Sequence, residues 1–226
     1  MLVRERMSRP VITVQQEIPI MEAHTVMRNE HIRRLPVMDK RKRLVGIISE
    51  KDILHAKPSG VTSLSVWEVQ YLLSEITVEE VMTRDVIIIN EDSPIEEAAR
   101  IMADNKIGGL PVLRDGKVVG IITETDLFKI FLEMLGAREH GIRLAALVPN
   151  TPGGLVQLTK AIFDIGGNIL ALGTFLGESC DNREVAMKVA GVSAEILEEA
   201  IEPFVESIVA VHEPQYLEEP IPNLSS

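Results

Sequence analysis

The chain has 226 residues, 46% hydrophobic and 25% charged, which excludes the disordered, collagenous and fibrous classes and suits one or two packed domains. Thirty-four acidic residues against 23 basic ones leave a net charge of −11, which argues against a broad cationic face for duplex nucleic acid or anionic lipid. The lone Cys180 admits no internal disulfide. No apolar run approaches the ~20 residues of a membrane span, and Arg4, Glu5 and Arg6 stand where a leader would be apolar, so a soluble cytoplasmic protein is expected.

The chain repeats itself. Residues 7–54 return as residues 82–128, with Met7/Met82, Pro19/Pro94, Ala23/Ala98, Met27/Met102, Leu35/Leu110, Pro36/Pro111, Gly46/Gly120 and Asp52/Asp126 in matching order and one deletion in the second copy. Each copy predicts strand, helix, strand, strand, helix. In the second copy Val86–Ile89 reads as a strand, with Ser93 as helix N-cap, Pro94 at the first helical position and Glu96 completing a capping box. Ile95, Ala98, Ala99 and Met102 then form one buried helical face. Leu110–Leu113 and Val118–Ile122 are strands joined by a tight turn at Asp115-Gly116, and a helix from Glu124 ends at Gly136. In the first copy Ile18 stands where Ser93 does, which predicts a less firmly started helix. Two such small sheets are expected to pack as a pseudo-twofold pair, because neither hides both faces alone.

Repeat 1 covers about 7–56 and repeat 2 about 82–136, within a first domain of 1–136. The connector at 57–81 opens with a Pro58-Ser59-Gly60 loop. Ser65 then caps a predicted helix in which Trp67 and Tyr71 serve as buried packing. After Ala137–His140 the pattern over 141–213 becomes βαββαβ, with Ser193 capping its second helix and Pro203 bending or ending that helix. The last residues, 214–226, carry three prolines and predict a flexible tail.

The heptads Gly46-Ile47-Ile48-Ser49-Glu50-Lys51-Asp52 and Gly120-Ile121-Ile122-Thr123-Glu124-Thr125-Asp126 are the sharpest local signal. Each puts a glycine in a strand, a hydroxyl at the strand end and a carboxylate in the first helical turn. Such a site suits a phosphate at the helix start and a ribose diol on the carboxylate. The same residues equally read as a helix cap, with Ser49 or Thr123 at the N-cap and Asp52 or Asp126 at N3. The five histidines lack metal-ligand spacing, Cys180 lacks a histidine partner, and Lys40–Arg43 reads as a solvated turn, so neither metal nor catalytic residues are predicted.

With its Leu-Pro-Val segments at 35–37 and 110–112 and these heptads, the tandem copy resembles a pair of CBS domains, also called a Bateman module. Residues 141–213 resemble an ACT domain, a ferredoxin-like fold, through Asn150-Thr151-Pro152-Gly153-Gly154-Leu155 and Gly166-Gly167-Asn168-Ile169. The order of the domains, with LSVWEVQYLL at 64–73, is similar to the acetoin-utilisation B-type group. The expected fold class is therefore mixed α/β (α+β).

The CBS resemblance implies AMP, ADP, ATP, NAD or S-adenosylmethionine as a regulatory ligand in two clefts, with no catalytic cofactor. Asp52 and Asp126 would hold ribose, and Ser49 and Thr123 ribose or phosphate. Backbone around Thr13, Val14, Ile88 and Ile89 would flank adenine. Arg33 and Arg34 are expected in the Asp126 cleft, with Gly108 and Gly109 in the Asp52 cleft. The ACT resemblance implies an amino acid or small metabolite between the Asn150–Gly154 loop (Asn150, Thr151, Pro152, Gly153, Gly154) and the Gly167-Asn168 turn, at a subunit interface. These expectations describe a homo-oligomeric, non-catalytic sensor that signals to a partner protein. An enzyme acting on a bound nucleotide and a constitutive dimerisation scaffold are the alternatives.

Overall fold

A computed structural model of the chain describes residues 1–56 and 75–213. The connector helix expected around Trp67 and Tyr71, and the tail, lie outside these residues. The chain divides into two compact units, Met1–Phe128 and Lys129–Ser226.

The first unit contains the repeat. Its elements are α1 (Val3–Arg6), β1 (Val14–Gln15), α2 (Ile20–Asn29), β2 (Arg34–Met38), β3 (Leu44–Ser49) and α3 (Glu50–Ala56). The same order follows in α4 (Val78–Val81), β4 (Ile89–Asn90), α5 (Ile95–Asn105), β5 (Gly109–Arg114), β6 (Lys117–Thr123) and α6 (Glu124–Met134), the last of which crosses into the second unit. Each half has a three-stranded sheet, β1-β2-β3 or β4-β5-β6, with one parallel and one antiparallel pairing. Apolar strand residues alternate onto α2 or α5, whose Ala23 and Met27, or Ala98 and Met102, are buried.

The halves exchange their opening segments. Val3 and Met7 belong to the core of the second half, with Ile89, Met102, Leu110, Val112 and Ile122. Val78 and Met82 belong to the core of the first half, with Val14, Ile20, Met27, Leu35, Val37 and Ile48. Reciprocal bridges join Ser8 to Ile121 and Thr83 to Ile47. Full burial of one such side chain is worth about 1.5–3 kcal/mol, so each half is incomplete without the other's lead segment. The exchange also explains the strand glycines of the heptads. A Cβ on Gly46 would lie 2.3 Å from Met82 Sδ, and one on Gly120 would lie 2.4 Å from Met7 Sδ. They admit a methionine of the other half, where the sequence suggested a ligand.

The expected difference between the helix starts is absent. Pro19 and Pro94 occupy the N-cap positions with no side-chain cap, and Ser93 is not the cap. A backbone carbonyl of the exchanged segment serves each helix: Ile20 N–H donates to Ile76 O (2.9 Å) and Ile95 N–H to Met1 O (3.2 Å). An acceptor from another segment makes the Ser-to-Ile change unimportant. The strand expected at Val86–Ile89 is shorter than predicted, because only Ile89 and Asn90 pair, with Val112 and Leu113.

The hairpins differ at the deletion. Asp39 Oδ1 accepts the N–H groups of Arg43 (2.8 Å) and Arg41 (2.9 Å), while Oδ2 meets the Arg43 guanidinium. These bonds, led by the Arg43 N–H, hold the Asp39 carboxyl below its ordinary 3.8. The second half instead turns tightly through Asp115 and Gly116, both at positive φ. There Arg114 reaches across to the buried Glu91 in a two-donor ion pair that lowers the Glu91 pKa.

The second unit is βαββαβ: β7 (Ile142–Pro149), α7 (Gly154–Asp164), β8 (Asn168–Leu176), β9 (Asn182–Ala190), α8 (Ala194–Ile201) with a 3-10 turn at Glu202–Phe204, and β10 (Ser207–His212). The fully antiparallel sheet has the order β10-β7-β9-β8. Leu158 and Ile162 of α7 and Leu197 and Ile201 of α8 are buried with Leu144, Val185, Met187 and Val189 of the sheet. Ser193 caps α8 through Ile196 N–H, and Pro203 lies in the terminating turn, as the sequence predicts.

Candidate functional site

The two heptads build the same corner. In the first, β3 ends at Ser49 and α3 begins at Glu50. Ser49 donates to Asp52 Oδ2 from both its backbone N–H (2.8 Å) and its hydroxyl (2.7 Å). In the second, Thr123 donates to Asp126 Oδ2 in the same way, at 2.9 and 2.8 Å. One oxygen of each carboxylate therefore fastens the strand-to-helix turn, as the capping alternative requires. Among the described residues Asp52 Oδ1 accepts no hydrogen bond, so the cap leaves one acceptor of Asp52 for a ligand. Asp126 is only 7% exposed.

A cleft of about 420 Å³ opens beside the first corner. The first repeat lines it with Arg33, Arg34, Ser49, Glu50, Lys51 and Asp52. The second repeat supplies Thr83, Asp85, Val86 and Ile87 before β4, and Lys106, Ile107, Gly108 and Gly109 before β5. The structure thus gathers Ser49, Asp52, Arg33, Arg34, Gly108 and Gly109 in one place. The two arginines, expected in the Asp126 cleft and apart from the glycines, line the same cleft as the glycines. All four residues stand at the entrances of β2 and β5, where the repeats meet, so they line a shared wall.

Of the residues whose backbone is expected to flank adenine, Ile88 and Ile89 directly follow the cleft lining in sequence. Val14 and Ile89 are buried in the two cores, Thr13 and Ile88 are exposed, and the cleft wall is Val86 and Ile87. Sequence reasoning missed Lys51, Thr83, Asp85 and Lys106. Lys106 follows α5 at φ +53, the left-handed position that ends the helix, and its repeat counterpart His31 sits at φ +54. Neither residue is a glycine, so the sequence did not mark this helix end.

Arg34 holds a central position. It opens β2 opposite Ser49, and its Nη2 lies 4.0 Å from Oε2 of Glu124 in the second heptad. A Cβ at Gly108 would lie 1.9 Å from that nitrogen. The Gly108-Gly109 pair therefore makes room for the arginine of the other repeat, where the sequence suggested only a missing phosphate contact.

These features match a known family. A family model described as the CBS domain matches residues 3–59 and 78–133. The chain belongs to the CBS domain family. A relative named L-aspartate semialdehyde sulfurtransferase, from Methanocaldococcus jannaschii, is 37% identical over 131 residues, which is 58% of this chain but only 23% of that protein. The CBS domain pair of protein MJ0100, solved in complex with 5′-methylthioadenosine and S-adenosyl-L-methionine, is 35% identical over 62% of this chain and 98% of that one, with a TM-score of 0.50. A protein named for acetoin utilization, AcuB from Vibrio cholerae, is 32% identical over 62% of this chain and 96% of its own, with a TM-score of 0.51.

The candidate residues of the second unit fall into two groups. Asn150 fixes the loop before β9, donating from its N–H to Asp181 O (2.7 Å) and from Nδ2 to Cys180 O (3.0 Å). Thr151 and Pro152 lead to Gly153, at φ +90, and Gly154 opens α7. Gly167 and Asn168 lie beyond the other end of α7, about 16 Å away for an 11-residue helix. A Cβ on Gly167 would meet Ile162 Cγ2 at 2.8 Å, so this glycine serves close packing. One chain does not bring the two groups together.

Proposed function

We propose that the CBS pair is a regulatory sensor that holds an adenosyl ligand in the Asp52 cleft. The observation that carries this reading is the cleft itself, whose volume lies within the about 300–1,000 Å³ typical of small-molecule sites. Its free Asp52 oxygen suits a ribose hydroxyl, and Val86, Ile87 and Ile107 offer an apolar wall for a base. Arg33, Arg34, Lys51 and Lys106 supply cations for phosphate. The adenosyl ligands of the similar MJ0100 pair support the class, from which AMP, ADP, ATP, NAD and S-adenosylmethionine are the candidates. The second heptad, with Thr123 and Asp126, forms the equivalent site.

In this reading the second unit is an ACT domain, supported by its βαββαβ order and antiparallel sheet. The Asn150–Gly154 loop and the Gly167-Asn168 turn then meet an amino acid or small metabolite only when two subunits assemble, because one chain keeps them apart. The protein acts as a cytoplasmic homodimer or higher oligomer that signals to a partner and catalyses nothing. Similarity to AcuB supports placing it in the acetoin-utilisation group.

Calorimetric titration with adenosine, AMP and S-adenosylmethionine, followed by chromatography of the ligand, tests this. Binding with the ligand recovered intact is expected, and Asp52→Asn should weaken it by about ten- to hundredfold. Chemical conversion of the ligand would make the protein an enzyme. Failure of every ligand to bind would leave the carboxylates as caps of a scaffold.

A further inference from the structure

We propose that Arg34 is shared between the two adenosyl clefts, so that an anionic ligand in one cleft weakens the binding of a second anionic ligand in the other. The proposal rests on the adenosyl reading above and specifies its regulation.

The repeat supplies one guanidinium where symmetry would supply two. Arg34 lines the Asp52 cleft and also approaches Glu124, two residues before Asp126. The counterpart of Arg34 in the second repeat is Gly109, which has no side chain to make the reciprocal approach to Glu50. The side chain nearest Glu50 in the equivalent role is His24, whose Nε2 is 4.0 Å from Glu50 Oε1. At Gly108, the counterpart of Arg33, a Cβ would collide with Arg34 and Glu124 Oε2, while at Gly109 it would lie 3.4 Å from Arg34 Cδ, so any side chain at this seam crowds Arg34.

Glu50 lines the Asp52 cleft, and Glu124 holds the same position in the second heptad, so in the adenosyl reading it borders the second site. At 4.0 Å the Arg34–Glu124 pair is loose enough to open, since Arg34 is partly exposed and Glu124 more so. A phosphate in the Asp52 cleft competes for this guanidinium with bidentate geometry. Once Arg34 turns to it, Glu124 keeps an uncompensated charge beside the Asp126 cleft, and a second phosphate meets repulsion there. By linkage, occupation of the Asp126 cleft has the same effect in reverse. Neutral adenosine engages neither partner, so the coupling follows ligand charge.

The test is calorimetric titration of the full chain with AMP and, separately, with adenosine, for the native protein and for Glu124→Gln and Arg34→Ala. The two AMP affinities should be separated by about tenfold more than the two adenosine affinities. In Glu124→Gln the extra separation should shrink by several-fold. In Arg34→Ala AMP should bind more weakly, with its separation reduced but not abolished, since Arg33, Lys51 and Lys106 remain in the Asp52 cleft. High salt should shrink the AMP separation alone. Equal separations for AMP and adenosine, or an AMP separation unchanged in Glu124→Gln, would overturn the shared arginine while leaving the adenosyl sites intact. Absence of adenosine binding would overturn the sites themselves, and with them the coupling.

Discussion

The two repeats share a topology and differ at their seam. Repeat 1 opens β2 with Arg33-Arg34, whereas repeat 2 opens β5 with Gly108-Gly109, and the glycines give Arg34 its place. The heptad carboxylates hold equivalent positions, yet Asp126 is more enclosed than Asp52. Lys51 and Lys106 line the first cleft, where the repeat counterparts are Thr125 and His31. Duplication preserved the packing that both halves need, and divergence collected where they touch. A tandem pair thereby gains two unequal corners from one framework.

The largest effects should come from the exchanged methionines. Met7→Ala and Met82→Ala should each cost about 2–5 kcal/mol. Met7→Ala should expose the amides of Leu110 and Val112 to hydrogen exchange and spare those of Leu35 and Val37, with the opposite pattern for Met82→Ala. Loss of protection in the methionine's own repeat would break the account. Gly46→Ala and Gly120→Ala should follow at about 1–3 kcal/mol each, because the added Cβ collides with the exchanged methionine and lies 3.1 Å from a backbone carbonyl. Equal losses in chemical denaturation are expected from this symmetric pair.

The heptad carboxylates sharpen the comparison. Asp126→Ala should cost about 1–2 kcal/mol and Asp52→Ala less, since the more buried corner leaves the Thr123 N–H without water.

Acid should act on both halves through different pairs. The folded pKa values of Asp39 and Glu91 lie below their ordinary 3.8 and 4.5. Each therefore adds stability that is complete above the ordinary value and lost as pH falls toward the depressed one. Thermal melts from pH 7 to pH 3 should show Tm dropping below about pH 4.5, and the drop should be shallower in Arg114→Met. An identical acid slope in that variant would remove Glu91 from the account.

The smallest effect is a gain. His31→Gly and Lys106→Gly should each stabilise by roughly 0.5–1 kcal/mol, the left-handed penalty less the entropy of glycine. Only Lys106→Gly should also lower AMP affinity in the Asp52 cleft.

Much of this was legible in the sequence. Internal similarity located both repeats, Asp115-Gly116 located a hairpin, and spacing located the βαββαβ unit with its Ser193 cap. What stayed hidden was which half each lead segment serves. Met7 and Met82 align as identities whether they pack at home or across, because local periodicity carries no information about exchange between equal partners. The same ambiguity hid the methionines beside Gly46 and Gly120 and the glycines beside Arg34. Ser93 failed as a cap because the required acceptor arrives from Met1, nearly a hundred residues earlier in the chain.

The exchanged lead segments also bear on how the protein comes apart. Met82 closes the first core, and the next residue, Thr83, begins the cleft wall that runs to Ile87. The wall cannot retreat far without drawing a plug from the opposite half. A molecule gripped there therefore acts as a latch on both cores, and the halves should melt as a single cooperative block. Protease cleavage between them should leave two pieces that stay together until both are lost.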